Sequence, residues 1–188
     1  MALPTSREEL RAAMDRGENF SYLCFYGHKP PTDGEVTKSC FSQWFDAPFT
    51  VDGVHYPTAE HFMMAEKARL FKDDDMLEEI LASPNPATAK ALGRSVQNFD
   101  ESIWRKHRSD IVVRASIAKF DQNPAMKAFL LGTKKHVLVE ASPRDTIWGI
   151  GYGAKNPKAE EPHNWRGLNL LGFALMIARD TLKEKEGE

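Results

Sequence analysis

The sequence predicts an α+β fold, a single mainly helical domain with a few short strands, on three observations. A capping residue, a Pro at the first helical position and a closing Gly recur at Asn85-Pro86 with Gly93, and again at Asn123-Pro124 with Gly132. The β-prone runs are short and scattered. The regular strand–helix alternation of a doubly wound sheet is absent. With 188 residues, 41% hydrophobic and 28% charged, the chain can build a core without staples and reads as one domain over 1–188.

The elements follow in order. Ser6 and Glu9 fit a capping box opening a first helix, which Gly17 ends. Residues 20–26 are aromatic and β-prone, and the turn-rich 27–34 read as a loop. Residues 49–56 form a hairpin, because Asp52-Gly53 supplies the positive φ angles of a two-residue turn. Thr58 caps a helix running to about Phe71. A shorter helix covers 73–81 and a long amphipathic one covers 100–120. Val137-Leu138-Val139 is a strand with a Gly-rich loop after it. The last helix covers 169–183, and the charged tail 183–188 is expected to fray.

Several function classes drop out. Lys plus Arg is 25 against 27 for Asp plus Glu, net −2, which lacks the basic excess that draws bulk nucleic acid or anionic membranes. Cys24 and Cys40 leave one bridge open in principle, but two free thiols in a reducing compartment is the plainer reading. No basic segment followed by an apolar one opens the chain, and no apolar run spans a bilayer, so a soluble cytoplasmic protein without membrane contact is expected. The six histidines show no metal-ligand spacing, so neither metal nor cofactor is expected. No G-x-S-x-G marks a serine hydrolase.

The helix opening at Thr58 is more informative. Glu60 lies in its first turn, where a carboxylate also favours the helix dipole. Lys67 follows seven positions on, so both project from one face, with Phe62, Ala65 and Leu70 nearby. An acid and an amine so placed suit proton transfer or covalent attack on a sugar aldehyde; a solvated face with a weak ion pair is the plain alternative. Trp104 is either a core anchor or a stacking platform. Asp145, after a strand, either stabilises a turn or serves a functional loop. Gly149-Ile150-Gly151-Tyr152-Gly153 is half a phosphate motif with no helix behind it, although its glycines permit close approach to a ligand.

Taken in order, these segments resemble the NADAR or YbiA-like family, most strongly over residues 41–179. The carriers are Phe41-Ser42-Gln43-Trp44-Phe45, Tyr56-Pro57-Thr58-Ala59-Glu60-His61-Phe62, Glu66-Lys67-Ala68 and Ala89-Lys90-Ala91-Leu92-Gly93-Arg94. Trp104, Lys119-Phe120-Asp121-Gln122-Asn123-Pro124, Leu138-Val139-Glu140-Ala141-Ser142-Pro143, Asp145, Trp148-Gly149-Ile150-Gly151 and Gly167-Leu168-Asn169-Leu170-Leu171-Gly172 complete them.

The resemblance implies an α+β N-glycosidase acting on a nucleotide-like ribosylated substrate. Family activities include cleaving phosphoribosylated pyrimidine intermediates of riboflavin biosynthesis and removing ADP-ribose from guanine of nucleic acid. It implies catalytic roles for Glu60, Asp145 and a covalent Lys67, with Trp104 in the active site. Gln43-Trp44 departs from the Ser-Asn-Phe more frequent there. Trp44, Trp104, Lys90, Arg94, Trp148, Gly149 and Gly151 are the candidate substrate-binding residues, Lys90 and Arg94 otherwise complementing a helix C-terminus. Removal of ADP-ribose from guanine in DNA or RNA is the leading expectation. Phosphoribosylaminopyrimidine hydrolysis and a non-catalytic NAD- or ADP-ribose-binding module are the alternatives.

Overall fold

The computed structural model describes residues 2–187. Helix α1 (Arg7–Asp15) starts where expected: Ser6 accepts the Glu9 N–H at 3.1 Å. Glu9 does not close the box on Ser6; its carboxylate takes the Thr5 N–H at 2.8 Å. Gly17, at φ +90°, stops the chain. Strand β1 (Tyr22–Phe25) is shorter than the β-prone run. Strands β2 (Phe49–Val51) and β3 (Val54–Tyr56) form the expected hairpin, with Asp52 and Gly53 at φ 50° and 78°.

Helix α2 (Ala59–Leu70) is buried along most of its length, with Ala59, Phe62, Ala65 and Ala68 fully enclosed. Thr58 caps it through the His61 N–H. The buried His61 ring is satisfied, Nδ1 by the Thr58 hydroxyl at 2.8 Å and Nε2 by the Ser83 carbonyl at 3.1 Å. Helices α3 (Asp74–Ala82), α4 (Pro86–Gly93) and α5 (Glu101–Asp121) surround α2. Gly93 has ordinary φ. A Cβ there would strike the Met64 thioether, so its bareness lets α4 close on α2.

Helix α6 (Pro124–Gly132) opens without the expected side-chain cap, because Asn123 donates instead to the carbonyls of Pro48 and Lys119. Strand β4 (Val137–Glu140) pairs with β1 in parallel, Phe25 opposite Glu140. Helix α7 (Leu170–Glu186) runs against α5 and through much of the tail expected to fray. Lys127 and Lys185 reach across to hold it, at 3.3 Å from Glu186 and 3.8 Å from Asp121. Glu188, also in that expected tail, lies outside the described residues.

A single apolar core runs from Leu10 to Leu182. Cys24 and Cys40 are free thiols. No described helix is long and apolar enough to cross a membrane. Among the described residues, two short strands in parallel, a separate hairpin and seven α-helices make an α+β architecture.

Candidate active site

A cavity of about 450 Å³ opens where α2, the end of α4, the start of α5 and the C-terminal end of β4 meet. From α2 it receives Glu60, Met63, Met64 and Lys67; from α4 and its cap, Lys90 and Arg94. Trp104 of α5 and Leu171 of α7 add apolar wall. Gln43 and Trp44 enter from the segment before the hairpin, Glu140 from β4, and Asp145 and Trp148 from the loop after it. Elements far apart in sequence thus converge on one opening.

Glu60 is 3% exposed, and its N–H donates to the Gln43 carbonyl at 3.0 Å. Burial pushes its carboxyl up to about 7; the Asp145 charge pushes the same way, while Lys90, Lys67 and Arg94 oppose it. Glu140 is raised to about 8, by burial and then by Asp145. Asp145 is held as an Asx turn, its Oδ1 accepting the N–H groups of Ile147 at 2.9 Å and Trp148 at 2.8 Å. It therefore stabilises its loop and also sets a negative charge against two protonatable acids.

Lys67 rests on aromatic faces, its Nζ 4.5 Å from the Phe99 ring centroid and 5.5 Å from that of Trp104. Burial lowers its ammonium below the usual lysine range, Glu101 and Glu60 pull it back, and Arg94 lowers it further. Lys90 and Arg94 are solvent-exposed residues that line the opening, with Lys90 Nζ 5.8 Å from the Trp44 ring. Trp104, 8% exposed, is packed into the core and also lines the cavity.

Eight of the ten sequence-predicted residues meet in this cavity: Glu60, Lys67, Asp145, Trp44, Lys90, Arg94, Trp104 and Trp148. Gly149 and Gly151 do not line it. A Cβ on Gly149 would press on the carbonyls of Glu140 and Asp145; one on Gly151 would meet Arg166. Their backbone serves internal turns, with Gly151 N–H bonded to the Asp145 carbonyl at 3.1 Å and Gly149 O accepting the Asn169 N–H at 3.1 Å. Neighbouring atoms fill the Cβ space of both glycines, and Gly151 also takes a positive φ of 79°.

Glu140 was not among the expected site residues. Its signal is a carboxylate ending the apolar strand Val137-Leu138-Val139, because ligands gather beyond the C-terminal ends of parallel strands. Among the described residues no cluster of three or more His, Cys, Asp or Glu is arranged to hold a metal ion.

The sequence profile of the NADAR domain matches residues 24–183. The chain is 40% identical over 168 residues to N-glycosidase R617 of Acanthamoeba polyphaga mimivirus, covering 87% of this chain and 97% of that protein. It is 33% identical over 144 residues to N-glycosidase YbiA of Escherichia coli (strain K12), covering 77% and 79%. The NMR structure of the E. coli protein YbiA superposes with a TM-score of 0.72 at 29% identity, over 91% of this chain and 90% of that one. With the profile spanning most of the chain and the mimivirus relative aligned over 97% of its length, the chain belongs to the NADAR family.

Proposed function

We propose that this N-glycosidase hydrolyses the bond between ribosyl C1′ and a base nitrogen, and that its substrate is ADP-ribosylated guanine in nucleic acid. The observation that carries the chemistry is the buried Glu60 carboxyl, raised to about 7, in one cavity with Lys67 and Trp104. A carboxylic acid that keeps its proton near neutral pH can deliver it to a departing base. As the C1′–N bond breaks, its electron pair leaves with the base nitrogen and Glu60 protonates that nitrogen. Positive charge grows at C1′ and the ring oxygen, and the Asp145 carboxylate stabilises it. Trp104 offers a face for the base.

Lys67 acts in one of two ways. In the first, the C1′–O4′ bond opens before the base departs, its electron pair going to O4′, which takes a proton, as the base nitrogen's lone pair forms an iminium with C1′. The Lys67 amine adds to C1′, and the C1′–N bond breaks with the protonated base as leaving group. Water then hydrolyses the resulting Lys67 imine to release ADP-ribose and the free lysine. Otherwise Lys67 stays charged and pairs with substrate phosphate while water attacks directly. Lys90 and Arg94 at the opening suit further phosphate contact.

The rim supports the larger substrate. The exposed large apolar side chains Tyr26, Phe99, Ile103 and Ile147 each line the cavity or adjoin a residue that does. Apolar and aromatic faces beside exposed Lys90 and Arg94 suit stacked bases on a phosphate backbone. The second reading, hydrolysis of a phosphoribosylaminopyrimidine, is favoured by volume, since about 450 Å³ matches a mononucleotide-sized ligand.

A parallel assay decides between them. ADP-ribosylated guanine in single-stranded DNA and a phosphoribosylaminopyrimidine are each offered to wild type and Glu60→Gln. Release of ADP-ribose by wild type alone supports the first reading; release of ribose 5-phosphate supports the second. Binding of ADP-ribose with no cleavage of either overturns both in favour of a non-catalytic binding module.

A further inference from the structure

Gln43 lines the cavity yet is only 8% exposed, and its Nε2 makes no hydrogen bond within the protein. Buried amides are almost always bonded, so an unpartnered one at a ligand cavity marks a place where a ligand atom completes the set. The backbone that carries the amide is held in place. The Gln43 carbonyl takes the Glu60 N–H at 3.0 Å. One residue earlier, the Ser42 carbonyl takes a hydrogen bond from the Lys119 ammonium at 2.9 Å, and Lys119 is 1% exposed. The Ser42 hydroxyl in turn accepts the Trp44 N–H at 3.2 Å. The segment is thus clamped from α2, from α5 and from within.

We propose that the Gln43 side-chain amide binds the 2′-hydroxyl of the ribosyl group whose C1′ faces Glu60, making Gln43 a specificity residue for ribose over 2-deoxyribose. The proposal rests on the N-glycosidase reading above. Three features point to a hydroxyl. The Gln43 amide is neutral and carries both a donor and an acceptor, as a hydroxyl does. Phosphate is better served by Lys67, Lys90 and Arg94 and is repelled by the carboxylate of Asp145. A planar base belongs against the indoles of Trp44 and Trp104. Within the sugar, the backbone bond between Gln43 and Glu60 selects the position. Glu60 delivers its proton to the nitrogen bonded to C1′, so a group anchored beside Glu60 lies next to that bond and reaches the carbon adjoining C1′ that bears the 2′-hydroxyl.

The test is calorimetric titration of ribose 5-phosphate and 2-deoxyribose 5-phosphate into wild type and Gln43→Met, a substitution of similar volume that carries no amide. Wild type is expected to bind the ribose form roughly tenfold tighter, because the deoxy sugar leaves the buried amide unpaired. In Gln43→Met the two affinities should converge. A preference unchanged in the variant overturns the proposal, and so does a wild type that shows none. A variant that keeps the preference but loses affinity for the free base assigns the amide to base recognition and also overturns it. If the variant does not fold, nitrogen-labelled wild type answers the question. The Gln43 amide resonances should move with ribose 5-phosphate and stay in place with the deoxy sugar; no movement overturns the proposal. Base cleavage, assayed separately, keeps the two readings distinct. A converging preference without any cleavage removes the N-glycosidase reading while the sugar contact stands, and cleavage without convergence does the reverse.

Discussion

The N–H of Glu140 donates to Asn169 Oδ1 at 2.9 Å, and the amide of the same Asn169 donates to the Leu138 carbonyl at 2.9 Å. One side chain at the start of α7 therefore ties down the end of β4, where the Glu140 carboxyl enters the cavity. Asn169 is fully buried and has φ 55°, a conformation Asn tolerates better than most residues.

Asn169→Ala should lower the unfolding free energy by about 2–4 kcal/mol. It strands a buried N–H and a buried C=O and places a Cβ-bearing residue without a local hydrogen bond in the left-handed region. Urea denaturation measures it. Asn169→Gly should recover only the conformational part, leaving a deficit of about 1–3 kcal/mol from the two lost bonds.

The pH dependence of turnover follows from the raised Glu60 carboxyl. Proton donation is available while Glu60 stays protonated, so kcat/KM should fall on an alkaline limb at about 7. Asp145→Asn keeps an oxygen for the two turn N–H bonds but removes the charge that raises both acids. The limb should then move to lower pH. Lys90→Gln removes a charge that lowers Glu60 and should move it to higher pH. Opposite displacements in the two variants check the electrostatic cause; displacements of the same sign contradict it.

Folding stability should carry the same signature. The Glu60 carboxyl titrates near 4.5, the ordinary glutamate value, when unfolded and about 7 when folded, so the folded state holds its proton more tightly. The stability conferred by that proton is fully present below the unfolded value. It is lost as pH rises through the folded one, at a slope of up to about 1.4 kcal/mol per pH unit. Glu60→Gln abolishes this loss. Its Tm relative to wild type should therefore be higher at pH 8 than at pH 4, while its turnover drops by about 10²- to 10⁴-fold.

How much of this was legible in the sequence depended on range. Ser6, Thr58, Asn85 and Asp52-Gly53 act within a few residues, and each placed its element correctly. The parallel pairing of β1 with β4 joins Tyr22 to Val137, and no local pattern encodes such a partner. The shared face of Glu60 and Lys67 followed from helical spacing alone. The nearness of Glu140 and Asp145 to that face required the long-range pairing, so Glu140 stayed hidden. Gly149 and Gly151 are open to two readings for a related reason: a missing Cβ permits either a ligand or another part of the chain to come close, and here Glu140, Asp145 and Arg166 occupy the Cβ space.

Lys67 carries the sharpest chemical prediction. Burial and Arg94 lower its pKa, so a larger share of its amine is uncharged and nucleophilic at a given pH than for a solvated lysine. Its Nζ sits over the Phe99 and Trp104 rings, where an imine to ring-opened ribose would be partly shielded from bulk water. Sodium borohydride added during turnover should reduce that imine to a stable secondary amine and leave a sugar adduct on the peptide containing Lys67, detected by mass spectrometry. Lys67→Arg retains the charge but forms no imine, so its adduct should vanish and its turnover fall with that of the covalent path. Substrate affinity in Lys67→Arg then separates the two roles. Retained affinity with lost turnover assigns Lys67 to covalent chemistry. A turning-over wild type that never yields the adduct, with near-normal rates in Lys67→Arg, assigns it to charge alone and leaves the attack on C1′ to water.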